Sequence, residues 1–458
     1  MARVAVLGAG AMGLAAAYQA ARDGHEVAVF EAAPFPGGMA AHFDFDGLSI
    51  ERFCHFICRA DEPIFDLMDE LGIGDRMRWR PCSIGYFAEG SLHPWGDPLS
   101  LLRFPHLGPV SKLRYGLLAL LSTKLDAWDA LENRTAREWI TRWCGERVYD
   151  QLWKQLFELK FHEYADSVSA AWLWRRIKRM GQSGRSLLQG EFGHIEGGSE
   201  TLVKALVCAI EARGGVVRLG MPVTDVLVFN GEVRGVRTLD GAEHAADHVI
   251  STVPVASVSG MVPALPEDWR RHYEAIVNIG VVCLVFKLRR SLAPYFWINI
   301  AEPDLEIPGL IEFSNLRPAG NEAIVYVPCY MPASNPRWRW PDEALVNWAF
   351  SALRRVNPAL RPDDLLGVQV SRLRHAQPIC PPGFTGMLPP IQTPIAGLQI
   401  ADTCFYYPED RGLSESIRLG REMAVAISGG PPALGLPPAL RDGSKCGSLT
   451  AWRADRRH

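Results

Sequence analysis

The chain has 458 residues, 48% of them hydrophobic and 22% charged, a folded-protein composition too large for one simple core. Its 48 basic and 51 acidic residues leave a net charge of −3, which offers neither a field for gripping nucleic acid nor a polybasic membrane anchor. No run reaches the roughly 20 uninterrupted apolar residues of a membrane-spanning helix. The nearest, residues 113–121, is broken by Arg114 and by its length reads as a buried helix rather than a membrane-surface patch. The ten cysteines are scattered without a CxxC pair. Cys54 and Cys58, on either side of His55, lack a second pair, so no metal is expected and a reducing, cytoplasmic location fits.

In chain order, residues 4–7 form an unbroken apolar run, as in a parallel strand buried on both faces. Gly8 to Gly13 makes a turn, alanine-rich residues 14–23 form a helix, and residues 27–30 are a second strand ending at Glu31. This order predicts an α/β fold with right-handed crossovers. A helix follows over 63–71, where Ile64, Phe65, Leu67, Met68 and Leu71 share one face. From about 111 to 180 long helical patterns dominate (135–143, 148–157 and 170–180), and the polar, glycine-rich 181–198 closes this insert. The α/β grammar then returns with a helix over 199–213 and strands at 216–219, 223–229 and 233–238. Asn230-Gly231 marks the hairpin turn between the last two. A strand at 249–252 follows, and strands at 281–288 and 323–327 suggest a second, mainly antiparallel sheet. A strand at 398–400 and a helix over 414–427 end the folded part, and 429–458 reads as a flexible tail.

The sharpest motif is Gly8-x-Gly10-x-x-Gly13, the phosphate-binding fingerprint. The first glycine allows the tight turn, the second lets backbone approach a pyrophosphate, and the third lets helix and strand pack closely. The N–H groups of Ala11, Met12 and Gly13 at the helix start then face the phosphates. Glu31, with Ala32 beside it, ends the next strand, where a carboxylate accepts hydrogen bonds from ribose hydroxyls and repels a 2′-phosphate. Five residues later come Gly37-Gly38 and Met39.

With this continuation the sequence resembles the flavin-containing amine oxidase superfamily, which includes protoporphyrinogen oxidases, phytoene desaturases and, more distantly, UDP-galactopyranose mutases. The resemblance implies non-covalent FAD, with Gly37 and Gly38 beside its phosphates; Met39 stands where the family usually has Arg. Gly197-Gly198, the 199–213 helix, and Met221-Pro222-Val223 resemble the family's second cofactor segment, with the Val223 backbone at the adenine. Residues 397–402 resemble the closing strand, whose Asp402 would lie by the ribityl–phosphate part. Arg411, Gly412 and Leu413 would present the backbone to the flavin N1/O2 edge. The Gly37-Gly38 pair and the Asp402 segment disfavour NAD. The implied fold is α/β, a Rossmann-type FAD-binding domain from about 1–75, 195–255 and 375–428, with an inserted substrate domain of antiparallel sheet plus helices from 76–194 and 256–374.

The implied chemistry is transfer of a hydride from a substrate C–H to flavin N5, for which the protein needs few obligatory side chains. His55 lies where the mutases run a histidine beside the flavin, and reads either as a donor to the flavin edge or substrate or as a hydrogen-bonded structural histidine. Tyr406 and Tyr407, after the closing strand, can wall a cavity or pack the core. Arg175, Arg176 and Lys178 read as a solvated helix face rather than an anion site. The amine oxidases' active-site Lys has no counterpart in residues 278–283, which turns expectation from amine oxidation toward desaturation or a lipid- or sugar-directed reaction on a small molecule. A redox-neutral mutase acting on a nucleotide sugar and a non-catalytic nucleotide-binding protein remain the alternatives, and a peripheral membrane contact stays open.

Overall fold

The computed structural model describes residues 1–124, 128–186, 189–431 and 433. Nearly all of the expected tail therefore lies outside the described residues. Five parallel strands form one sheet, in the order Val216–Arg218, Glu26–Phe30, Arg3–Leu7, His248–Ser251, Leu398–Ile400. Three widely separated stretches of sequence thus build one sheet, largely buried along its inner strands and its Leu398–Ile400 edge and open at the Val216–Arg218 edge. The helix Ala11–Arg22 is buried along almost its whole length. Alanine makes that possible, because small side chains let Ser199–Glu211 and Leu413–Ile427 pack on either side of it. Gly420 marks the closest approach, since a Cβ there would lie 2.2 Å from the Met12 carbonyl oxygen.

The second large sheet has seven strands, ordered Leu365–Pro378, Asn278–Leu288, Ala323–Met331, Gly309–Glu312, Trp297–Ile300, Ile84–Ala88, Ser91–Trp95. It is antiparallel except where Trp297–Ile300 meets Ile84–Ala88. Strand Asn278–Leu288 shows the period of two that a sheet covered on both faces requires. Val282, Leu284, Phe286 and Leu288 enter one apolar cluster with helix Asp342–Val356, while Val281, Cys283 and Val285 enter another on the opposite face. Asn230 and Gly231 both have positive φ, 52° and 78°, as the expected hairpin between Val223–Phe229 and Glu232–Thr238 demands.

Three expectations need correcting. The glycine-rich closing segment of the insert contains strand Gln189–Ile195, which pairs with Met77–Pro81. Its two large apolar residues, Phe192 and Ile195, stand three apart, so the segment shows no period-two alternation. The helix expected over 148–157 is continuous helix from 146 to 161 but passes through a π-helical stretch at Asp150–Lys154, a local winding invisible to periodicity. The apolar run 113–121 lies in helix Pro109–Lys124, where Leu113, Leu117 and Leu120 are exposed, not buried.

Candidate active site

The carboxyl ends of the parallel strands stand in one row. Leu7 is in register with Phe30 and with Ser251, Phe30 with Arg218, and Ser251 with Ile400. Chain order reverses on either side of Arg3–Leu7, so the loop after Leu7 sits at the switch point, where open α/β sheets bind ligands. That loop is the Gly8–Gly13 turn.

The three glycines differ in what they do. Gly8 has φ +99°, and a Cβ on Gly13 would lie 1.9 Å from the Gly8 carbonyl oxygen, so both are required by the chain itself. Gly10 is not: the nearest atom to a Cβ there is Gly38 Cα, at 3.9 Å. A side chain at Gly10 would enter free space beside the second glycine pair. The Gly37 N–H donates to the Ala9 carbonyl at 2.8 Å, which holds the two glycine segments side by side. Helix Ala11–Arg22 begins at this point with no acidic residue in its first turn, leaving N–H groups and a partial positive charge for an anion.

Glu31 has a second task that the sequence reading missed. Its carboxylate accepts the Ala9 N–H at 2.7 Å and the Ala33 N–H at 2.8 Å, stapling the glycine turn to the following loop. Each oxygen keeps a lone pair for a ribose hydroxyl. The Met221 N–H donates to the Glu31 carbonyl at 2.8 Å and the Gly220 N–H to the Ala33 carbonyl at 2.9 Å, which brings Val223 to the same corner. Ala32 is exposed there and Met39 is half-buried. Arg52, not singled out from the sequence, holds its guanidinium 4.8 Å from the centre of the Phe35 ring, with Nε buried and unpartnered among the described residues.

At the other end of the row, Asp402 accepts the Val255 N–H at 2.8 Å and the Cys404 N–H at 2.9 Å. It thereby ties the closing strand to the loop after Ser251. Helix Leu413–Ile427 begins at Gly412, and Ser414 Oγ in its first turn is buried without a partner among the described residues. The same is true of Ser251 Oγ and Arg218 Nε in the strand-end row. Buried polar atoms ordinarily find partners, so orphans along this edge fit a polar ligand such as a dinucleotide.

A charged seam adjoins this edge. Helix Ala170–Gly181 turns Arg175 to Glu409, Arg176 to Asp410 at 2.8 Å, and Arg179 to Asp61 at 2.9 Å. The expectation of a solvated face for Arg175 and Arg176 is therefore corrected: their partners lie more than 230 residues away, beyond any helical pattern. Lys178, of the same helix, lies against the Trp174 ring. A cavity of about 40 Å³ sits at the seam, lined by Asp61, Arg175, Arg179, Glu409, Gly412 and Ser414 among others, room for about one or two waters. Burial pushes the Glu409 carboxyl up to about 7 despite Arg175. Asp410 behaves oppositely, because Lys160, Arg176, Arg411 and Arg179 outweigh its burial and hold it well below the usual carboxylate range.

Lys160 was missed because nothing in its local sequence is unusual. Its ammonium lies over the Trp172, Tyr330 and Phe161 rings, 4.8, 5.2 and 5.4 Å from their centres. Burial lowers its pKa well below the ordinary value, against the pull of Asp410. Arg411 reaches the Ala376 carbonyl and the Tyr330 hydroxyl, the latter at 2.6 Å. His55 joins the same group: burial lowers the pKa of its imidazole, Glu51 and a hydrogen bond to the Phe53 backbone oppose this, and Arg411 and Arg179 reinforce it. Its Nδ1 is buried and without a partner among the described residues.

The two tyrosines are committed elsewhere. Tyr406 is fully buried and donates to Ser416 Oγ at 2.8 Å. Tyr407 donates to Glu132 at 2.5 Å, meets Ser169 Oγ at 2.7 Å, and packs its ring against Phe384. Both hydroxyls are thus engaged by the protein's own side chains.

The family model described as flavin containing amine oxidoreductase matches residues 13–401. Among curated relatives, the 15-cis-phytoene desaturase of Solanum lycopersicum is 25% identical over 304 residues, covering 61% of this chain and 51% of the relative. The match thus spans about half the relative's length. Among solved structures, an oxidoreductase from Methanosarcina mazei superposes with a TM-score of 0.71 at 18% identity, over 93% of this chain and 100% of that one. Reduced UDP-galactopyranose mutase gives 0.71 at 15% identity over 94% of each chain; both likenesses speak for the fold. By its matched residues, the chain belongs to the flavin containing amine oxidoreductase family.

Proposed function

We propose that the protein is an FAD-dependent oxidoreductase of the desaturase type, holding its cofactor without a covalent bond along the row of strand ends. The observation that carries this reading is the Gly10 corner, where a glycine the chain does not itself need faces a second glycine pair and a helix start. When bound, the flavin would supply N5 as acceptor for a hydride from a substrate C–H.

The chain's own residues do the rest. Backbone N–H groups of Ala11, Met12 and Gly13 hold phosphate, Glu31 accepts ribose hydroxyls, and the Val223 backbone meets the adenine. Asp402 and the first turn after Gly412 flank the ring end. Neutral His55 would hold or accept a proton at Nδ1, and Lys160 and Arg411 orient the substrate between the FAD domain (about 1–75, 195–255 and 375–428) and the insert. Burial lowers the pKa of the His55 imidazole against the pull of Glu51, and Cys404, buried with its thiol pushed well up in pKa by that burial, is poorly suited to attack a flavin.

The test is anaerobic titration of the purified protein with isoprenoids, porphyrinogens, amines and nucleotide sugars while the flavin absorbance is followed. Bleaching in proportion to product formed supports net C–H oxidation. Turnover of a nucleotide sugar with no net bleaching would replace this reading with a redox-neutral mutase. Bound flavin that no substrate bleaches or turns over would replace it with a binding protein.

A further inference from the structure

Six large apolar side chains stand exposed on two consecutive helices, Pro98–Arg103 and Pro109–Lys124. They are Leu99, Leu102, Val110, Leu113, Leu117 and Leu120, and Leu113 is 74% exposed. On the longer helix the last four recur at spacings of three, four and three, which is one face of a helix. Leu118 and Ser122 occupy the buried side. Lys112 Nζ donates to the Leu102 carbonyl at 2.7 Å, which locks the two helices into one surface.

The charges carried by the two helices and the loop between them have one sign. Residues 98–124 include Arg103, Lys112, Arg114 and Lys124 and no acidic residue, in a chain whose net charge is −3. Asp97, just before the stretch, is taken up in capping, where it accepts the Leu99 and Ser100 N–H groups at 2.9 Å each. Glu89 faces His106 at 3.5 Å. An apolar strip rimmed by cations matches a layer of anionic headgroups over acyl chains. A second copy fits less well, because a twofold contact would set this basic rim against itself.

We propose that helices Pro98–Arg103 and Pro109–Lys124 form a docking surface for an anionic lipid bilayer, lying in its interface without crossing it. No helix of the described residues is long and apolar enough to cross a membrane. The longer helix packs on Ala170–Gly181, the helix that carries Arg175, Arg176 and Arg179, so the docked face lies one helix from the charged seam. This inference does not depend on the cofactor.

The test is co-sedimentation of the purified full chain with phosphatidylcholine vesicles, with and without phosphatidylglycerol, at low and high salt. The wild type should bind the anionic vesicles and release them as salt rises. Leu113→Glu/Leu117→Glu should weaken that binding at least about tenfold, with an unchanged melting temperature because both positions are exposed. Equal binding by the variant, or wild type that stays in the supernatant with both vesicles, would overturn the proposal. So would a wild-type dimer that the double substitution makes monomeric while vesicle binding is absent, since the face would then be a contact between copies.

Discussion

The strand-end row and the charged seam lie side by side but are made of different materials. The row is backbone: glycines that let main chains approach, a helix start, and Glu31 and Asp402 binding backbone N–H groups. The seam is side chain: three arginines on one helix, a lysine among aromatic rings, and carboxylates from distant segments. A dinucleotide offers phosphates and hydroxyls that backbone can satisfy, so its site can be spelled in short local motifs. Groups that handle one particular substrate must converge from far apart and leave little local trace.

The largest expected effect breaks the row without touching the seam. Gly10→Val should yield protein without flavin whose melting temperature is close to that of flavin-stripped wild type, since the nearest atom to the new Cβ beyond its chain neighbours is Gly38 Cα at 3.9 Å. A large fall in melting temperature instead would mean that Gly10 serves packing alone. Glu31→Ala should weaken flavin binding by roughly 1.5–3 kcal/mol and also lower the melting temperature, because the Ala9 and Ala33 N–H groups lose their acceptor. Flavin retention under dilution and a thermal scan separate the two parts.

The seam is probed by pH. The Glu409 carboxyl holds its proton up to about 7 when folded and releases it near 4.5, its ordinary value, when unfolded. Between those values the folded state binds the extra proton, so stability falls as pH rises through that window. Glu409→Gln should remove this slope, worth roughly 1–3 kcal/mol, when melting temperatures at pH 5 and 7.5 are compared. An unchanged slope would show that Arg175 keeps Glu409 ionised throughout. The smallest effect is expected at Lys160→Met, which replaces a buried amine by an apolar chain of similar volume. It should leave flavin content unchanged and stability equal or higher by about 1 kcal/mol, while raising KM for the substrate that bleaches the flavin. An unchanged KM would confine Lys160 to packing.

The same division explains what the sequence made legible. The fingerprint, the second glycine pair, the hairpin at Asn230-Gly231 and the strands at Val223–Phe229 and Leu398–Ile400 were readable because each follows from neighbours in the chain. Lys160, Arg179 and Asp410 were not, because their surroundings come from segments more than a hundred residues apart. Strands Met77–Pro81 and Ile84–Ala88 were not legible because each is only five residues long: the alternation of Met77, Arg78, Trp79 and Arg80 is too brief to stand out, and Ile84–Ala88 is an apolar run with no alternation. The exposed leucines of Pro109–Lys124 read as core because hydropathy cannot say which face of a helix is covered.

The most direct test is the mass and absorbance of the small molecule released by heat from the purified full chain. One FAD per chain, released intact, is the predicted result. Flavin that stays attached to the denatured polypeptide, or NAD in its place, would contradict the account.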